Sequence, residues 1–174
     1  MPSSRGTRTV SINNNTPHLI VLAEDDAVRE VMLGFLLDVQ VLEYQVKVLR
    51  PAGGWRKTFQ QFVSNYQPTM NTFEHRHVLI LIDCDGDVER IPRLMNDVDA
   101  AVRDRVFILG SRDEVEDLSR ELRCDKETIG KRLARDCVEG NDECWNNTQL
   151  VHNSGEVRRL TVAVLPFLLQ QAQH

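Results

Sequence analysis

Between His77 and Asp83 the chain reads Val-Leu-Ile-Leu-Ile, with no polar side chain in the run. A strand that is apolar on both faces must be covered on both, which in one domain means a parallel sheet with helices above and below it. HLIVLAE (18–24) and RVFILG (105–110) carry the same signature, and YQVKVL (44–49) alternates like a strand with one wetter face. The intervening segments have helical spacing. Val28, Val31, Met32, Phe35 and Leu36 share one face, with Asp26 placed to cap the start, and Trp55, Phe59, Phe62, Val63 and Tyr66 form a second apolar side over 55–66. QPTMNTFEH (67–75) reads as a loop. A helix is expected near Arg90, where Pro92 is tolerated in a first turn. Others are expected from about Asp113, over Lys126–Cys137, and from Ser154 to about Gln171 with a bend at Pro166. The expectation is a three-layer α/β domain with a mostly parallel central sheet of four or five strands and C-terminal helices packed against it.

The 174 residues suit one domain. Residues 1–17 are polar and aperiodic and read as a flexible leader; 18–174 form the single domain, with a core over about 18–120 and a helical extension over about 121–174. No apolar run approaches the roughly 20 residues that span a bilayer, and the start lacks the apolar centre of a secretory signal, so a cytoplasmic protein with no membrane partner is expected. Cys84, Cys124, Cys137 and Cys144 show neither zinc-site nor disulfide-framework spacing. The net charge of −5 argues against holding a long duplex by phosphate neutralisation alone.

In open α/β sheets ligands collect beyond the carboxyl ends of the strands. Here those ends are acidic. The first strand closes in Glu24-Asp25-Asp26, the third in Asp83-Cys84-Asp85-Gly86-Asp87, and the fourth in Gly110-Ser111 with Asp113, Glu114, Glu116 and Asp117 behind. Folding alone gives no reason to crowd like charges, and a hard divalent cation does. Oxygen donors point to Mg²⁺ or Mn²⁺ rather than zinc. Glu114 and Glu116 are candidates for a second ion, although on a regular helix only one of them could face the cleft. Gly53-Gly54, followed by Trp55, Arg56 and Lys57, is open to two readings: a phosphate-approach loop or a tight turn before an ordinary helix.

A glutamate closing the first strand (LIVLAE), a glycine pair after the second (RPAGGWRKTFQQFV) and D-x-D-x-D closing a buried strand (LIDCDGDVERI) resemble the Toprim domain of topoisomerases, bacterial primases and OLD-family nucleases, and most of all its small stand-alone OLD-type members. The resemblance covers roughly residues 18–120. It implies Glu24 as general acid or base and metal ligand, with Asp83 and Asp85, and Asp87 as a further candidate, holding Mg²⁺. It also implies a metal-dependent nuclease acting on DNA or RNA, with a protein partner supplying part of the grip. Asp25 stands where the family usually has glycine. A strand-transferring enzyme would need a nucleophilic tyrosine, and Tyr44 and Tyr66 fall in a strand and a packed helix, so hydrolysis is expected.

The alternative from another class is a regulatory or scaffold module, either a response-regulator receiver or a degenerate Toprim scaffold that works through a partner. A response-regulator receiver would use Asp25, Asp26, Asp83 and Ser111, but no strand-like run precedes Lys126 or Lys131 to supply its lysine. A haloacid-dehalogenase-type phosphatase normally opens on its D-x-D motif, and an EF-hand loop counted from Asp83 has Val88 and Leu94 where glycine and glutamate belong.

Overall fold

The computed structural model describes residues 11–38 and 43–169. Strands β1 (His18–Ala23), β2 (Val46–Val48), β3 (Arg76–Asp83) and β4 (Val106–Ser111) form one parallel sheet in the order β2-β1-β3-β4. β2 is shorter than the expected 44–49, because Glu43–Gln45 close into a 3₁₀ turn before it. Successive side chains on a strand point to opposite faces, and that period divides the core. Ile20, Leu22, Val78, Ile80, Ile82, Val106 and Ile108 pack on one face, where α2 (Trp55–Gln61) and α4 (Arg90–Asn96) supply Phe59, Ile91 and Leu94. Leu19, Val21, Leu79, Phe107 and Leu109 pack on the other, against α1 (Asp26–Asp38), α7 (Ser154–Ala163) and α8 (Leu165–Leu168). The three-layer α/β arrangement is as expected, with four strands among the described residues.

Several boundaries differ from the sequence reading. The helix begun at Trp55 widens into a π-helical turn at Phe62–Tyr66 and continues as α3 (Gln67–Met70), where a loop is expected. Pro68 explains this: it sits in the first turn of α3, where it lacks no needed donor, and the wider turn just before it spares a clash with the carbonyl four residues back. Asp25, not Asp26, caps α1, accepting from Val28 N at 2.9 Å. Near Asp113 the helix α5 (Val115–Leu122) starts two residues late, and α6 (Lys126–Glu139) runs past Cys137 to Gly140, whose φ of 69° ends it. The C-terminal helix breaks at Val164, leaving Pro166 in the first turn of α8; residues 170 and 171 of the expected helix lie outside the described residues.

Two features hold the sheet's margins. β4 is an edge strand, and an exposed edge invites pairing with other chains. Here side chains of the extension cover it. Asn153 donates to Gly110 O and accepts from Gly110 N, Glu156 accepts from Ile108 N, and Arg159 donates to Val106 O and Arg103 O. At the amino end of the sheet Arg105 donates to four backbone carbonyls, those of Met70, Phe73, Glu74 and Arg76. Residues 11–17 dock there too, with Ile12 on the core and Asn14 Oδ1 accepting from Arg76 at 2.9 Å. The part of the expected leader spanning 1–10 lies outside the described residues.

His18 makes this end pH-sensitive. It is fully buried, its Nδ1 pairs with Thr16 O at 2.8 Å, and Arg76 Nε donates to its Nε2 at 3.1 Å. Only the neutral ring can accept from Arg76. Burial, then the Arg76 charge, lowers its pKa, and burial lowers those of His77 and His152 as well. In the unfolded chain these rings take up protons below pH of about 6.5, while the folded state resists until lower pH, so the stability these histidines contribute falls as pH drops through that window. The buried Asp83 carboxyl pulls the other way over the same range, so the histidine effect is read by difference: in thermal melts from pH 8 to pH 5, His18→Gln, which keeps an acceptor for Arg76, is expected to gain stability relative to wild type as pH falls. An unchanged slope in that variant would remove His18 from the account.

Candidate functional site

The carboxyl ends of β1, β3 and β4 meet, and the residues just past them form the site. Glu24 continues the β1 ladder, its N–H donating to Leu81 O at 2.9 Å, while its own carbonyl accepts from Gly53 N and Gly54 N at 3.2 Å each. Gly53 and Gly54 have φ of 87° and 112°, a region that side-chain-bearing residues rarely adopt. Their amides are therefore committed to Glu24, so the pair is a turn fastening the start of α2 to the site, and not an open phosphate cradle. Arg56 and Lys57 follow on the exposed first turn of α2.

Asp83 is 4% exposed. Its N–H donates to Glu24 Oε2 at 2.6 Å and its Oδ1 accepts from Ser111 Oγ at 2.7 Å, so residues 59 and 28 positions away converge on it. Burial pushes its pKa up to about 7, with the Ser111 bond opposing and the charges of Asp25, Glu24 and Glu116 adding to the rise. Glu24 is also raised, first by burial and then by Asp25 and Asp85, against the Asp83 amide and Arg90. Both carboxylates hold protons more tightly than solvated ones, because charge here lacks water and has negative neighbours.

The backbone beyond Asp83 stays fastened to the β4 side. Cys84 N, Asp85 N and Gly86 N donate to Ser111 O, Asp113 O and Arg112 O. That path takes Asp85 to a φ of 51° and Gly86 to 83°. The half-exposed Asp85 carboxylate accepts from Arg90 Nη1 at 2.9 Å, and Asp87 pairs with Arg93. Cys84, between Asp83 and Asp85, is buried, and burial pushes its thiol up to about 12, which makes it an unreactive packing group.

Of the second-ion candidates, Glu114 is extended and caps α5 reciprocally with Asp117, its N–H donating to Asp117 Oδ2 at 3.3 Å. Glu116 lies in the first helical turn, near enough for its charge to be felt at Asp83. Sequence reasoning missed two members. Arg90, the first residue of α4, lies among the carboxylates, stacked 4.5 Å from the Trp55 ring centroid. Gln149, 1% exposed, pairs with Asp113 through both its amide atoms. The only signal for Arg90 was a cation one turn beyond an aspartate motif.

Among the described residues no three carboxylate, imidazole or thiol groups are gathered to hold an ion as they stand. The donor chemistry nonetheless suits a hard dication: Glu24 and Asp83 are adjacent oxygen donors that repel one another's ionised forms, and Asp85 is held off by Arg90. His75 and His77 lie at the opposite end of β3. No protein-family model, curated protein or solved structure matches this chain.

Proposed function

We propose that the protein is a divalent-metal-dependent phosphoesterase that hydrolyses phosphodiester bonds in nucleic acid through a site of Toprim type. The observation that carries this reading is the meeting of Glu24 with Asp83 at the ends of adjacent parallel strands, one carboxylate buried and both raised in pKa. Glu24, Asp83 and Asp85 would hold Mg²⁺ or Mn²⁺, with Asp87 and Glu116 at the margin, and the ion would neutralise a leaving oxygen and acidify water. Glu24, whose pKa burial raises, is a stronger base than a solvated carboxylate and so is suited to take a proton from an attacking water. Ser111 orients Asp83 through Oδ1. Arg56 and Lys57, exposed beside the site, suit phosphate oxygens. Tyr66 packs against the core and Tyr44 lies in the 3₁₀ turn before β2, at the end of the sheet opposite the carboxylates, which supports hydrolysis over strand transfer. The acidic chain favours a partner protein that contributes nucleic-acid grip.

Plasmid nicking and single-strand cleavage with Mn²⁺ test the reading on DNA, and a labelled RNA tests the other substrate. Asp83→Ala and Glu24→Gln are each expected to reduce cleavage by about 10³-fold or more, as loss of a metal-holding or proton-accepting group does. Wild-type rates in either variant would refute the site. One observation favours the regulatory alternative: the Ser111 hydroxyl on Asp83 is an arrangement a receiver would also have. Lys126 and Lys131 lie on α6 rather than after a strand, which counts against it. Acetyl phosphate separates the two, since a receiver would form a hydroxylamine-labile aspartyl phosphate on Asp83.

A further inference from the structure

The first turn of α4 sets a guanidinium among the carboxylates. Arg90 Nη1 donates to Asp83 O and to Asp85 Oδ2, 2.9 Å each, and the guanidinium stacks 4.5 Å from the Trp55 ring centroid. Its side chain is 13% exposed. Trp55 is itself held in place, because it follows the Gly53-Gly54 turn whose amides bond Glu24 O. The guanidinium is thus held by a carbonyl, a carboxylate and an aromatic face. Its field also reaches Glu24. A second cation placed beside Glu24 and Asp83 meets a like charge at short range, and finds Asp85 already paired.

We infer that Arg90 is the resident counter-cation of this cluster, and that a divalent ion must displace it from Asp85 to complete its oxygen ligands; this rests on the metal-dependent reading above. The released guanidinium, still beside Trp55, then becomes a donor for a phosphate oxygen next to the ion. Metal binding therefore prepares the phosphate site.

Calorimetric titration of Mn²⁺ into metal-free protein, with tryptophan emission followed in parallel, tests this. Arg90→Gln is expected to bind Mn²⁺ about tenfold more tightly than wild type, because the competing charge is gone, and Arg90→Lys to stay near wild type. With Trp145→Phe as background, so that Trp55 alone emits, Mn²⁺ should change the emission when Arg90 is present and not in Arg90→Gln. Equal or weaker Mn²⁺ binding by Arg90→Gln overturns the inference while leaving the metal site standing, since Arg90 would then be holding Asp85 in position for the ion. If neither wild type nor Arg90→Gln binds Mn²⁺, the metal-dependent reading fails and the displacement with it. Should Arg90→Gln not fold, Trp55→Leu removes the stacking face without touching a carboxylate; tighter Mn²⁺ binding is expected there too, and unchanged or weaker binding overturns the inference.

Discussion

Asp83→Asn is expected to make the metal-free protein more stable than wild type at pH 8, by about 2–4 kcal/mol, and to leave stability near pH 4 almost unchanged. The sign follows from the direction of the shift. The folded-state pKa of Asp83 is raised to about 7, whereas the unfolded chain ionises near the ordinary carboxylate value of about 3.9. As pH rises between those values the unfolded state gives up a proton that the folded state keeps, so wild-type stability falls across the window and stays low above it. Asparagine cannot ionise, and its Oδ1 can still accept from Ser111 Oγ. Urea unfolding in EDTA at pH 4, 6 and 8 measures the gap, which should widen with pH. Adding Mg²⁺ or Mn²⁺ at pH 8 should then stabilise wild type and not the variant. A variant no more stable than wild type at pH 8 would show that the carboxylate is already compensated. A group kept at a cost to the fold is the pattern of a functional site, where stability is sacrificed for chemistry.

Gly130→Ala is expected to cost about 3 kcal/mol or more, although alanine is the better helix former by about 1 kcal/mol. A Cβ at Gly130 would stand 2.0 Å from Val31 O and 2.5 Å from Phe35 N, and one at Gly34 would stand 2.3 Å from Glu127 O. Every one of these neighbours is backbone. No rotamer change relieves the overlap, so α1 and α6 must separate, loosening the contacts of Val31 and Phe35 with Ile129 and Leu133. Gly155→Ala provides the opposite sign. Gly155 is in α7 with nothing within 4 Å of the added methyl, so the propensity gain of about 0.5–1 kcal/mol is uncompensated and the variant should be slightly more stable. Urea midpoints of the two variants measure both effects, and a Gly130→Ala protein within about 1 kcal/mol of wild type would contradict the close backbone contact.

The resident arginine ties these expectations to the site. Asp85 is held by Arg90, and Asp83 is left with a hydroxyl and negative neighbours. The fold has therefore neutralised the exposed aspartate and left the buried one unneutralised. A bound cation would act on the second.

What the amino-acid order determines here is burial within each element. A run such as Val78–Ile82 admits only a strand covered on both faces, and the alternation along β1, β3 and β4 assigns each side chain to its layer; the strand ends, and with them Glu24 and Asp83, follow directly. Short-range periodicity carries that information because burial repeats every two or 3.6 residues. What only the tertiary structure decided is which distant groups meet at those ends. The contacts of Asp83 with Ser111, of Gly110 with Asn153 and of Gly34 with Glu127 join residues that no local period relates. So does the stacking of Arg90 on Trp55, which depends on the crossover between β2 and β3 returning α2 to the edge where α4 begins. Glu114 makes the same point in reverse: its place after β4 suggested a ligand, and the extended backbone that precedes α5 turned it into a helix cap. A carboxylate's role depends on the donors that the folded backbone brings within about 3 Å of it, and those are set by packing across the sheet rather than by neighbours in the chain.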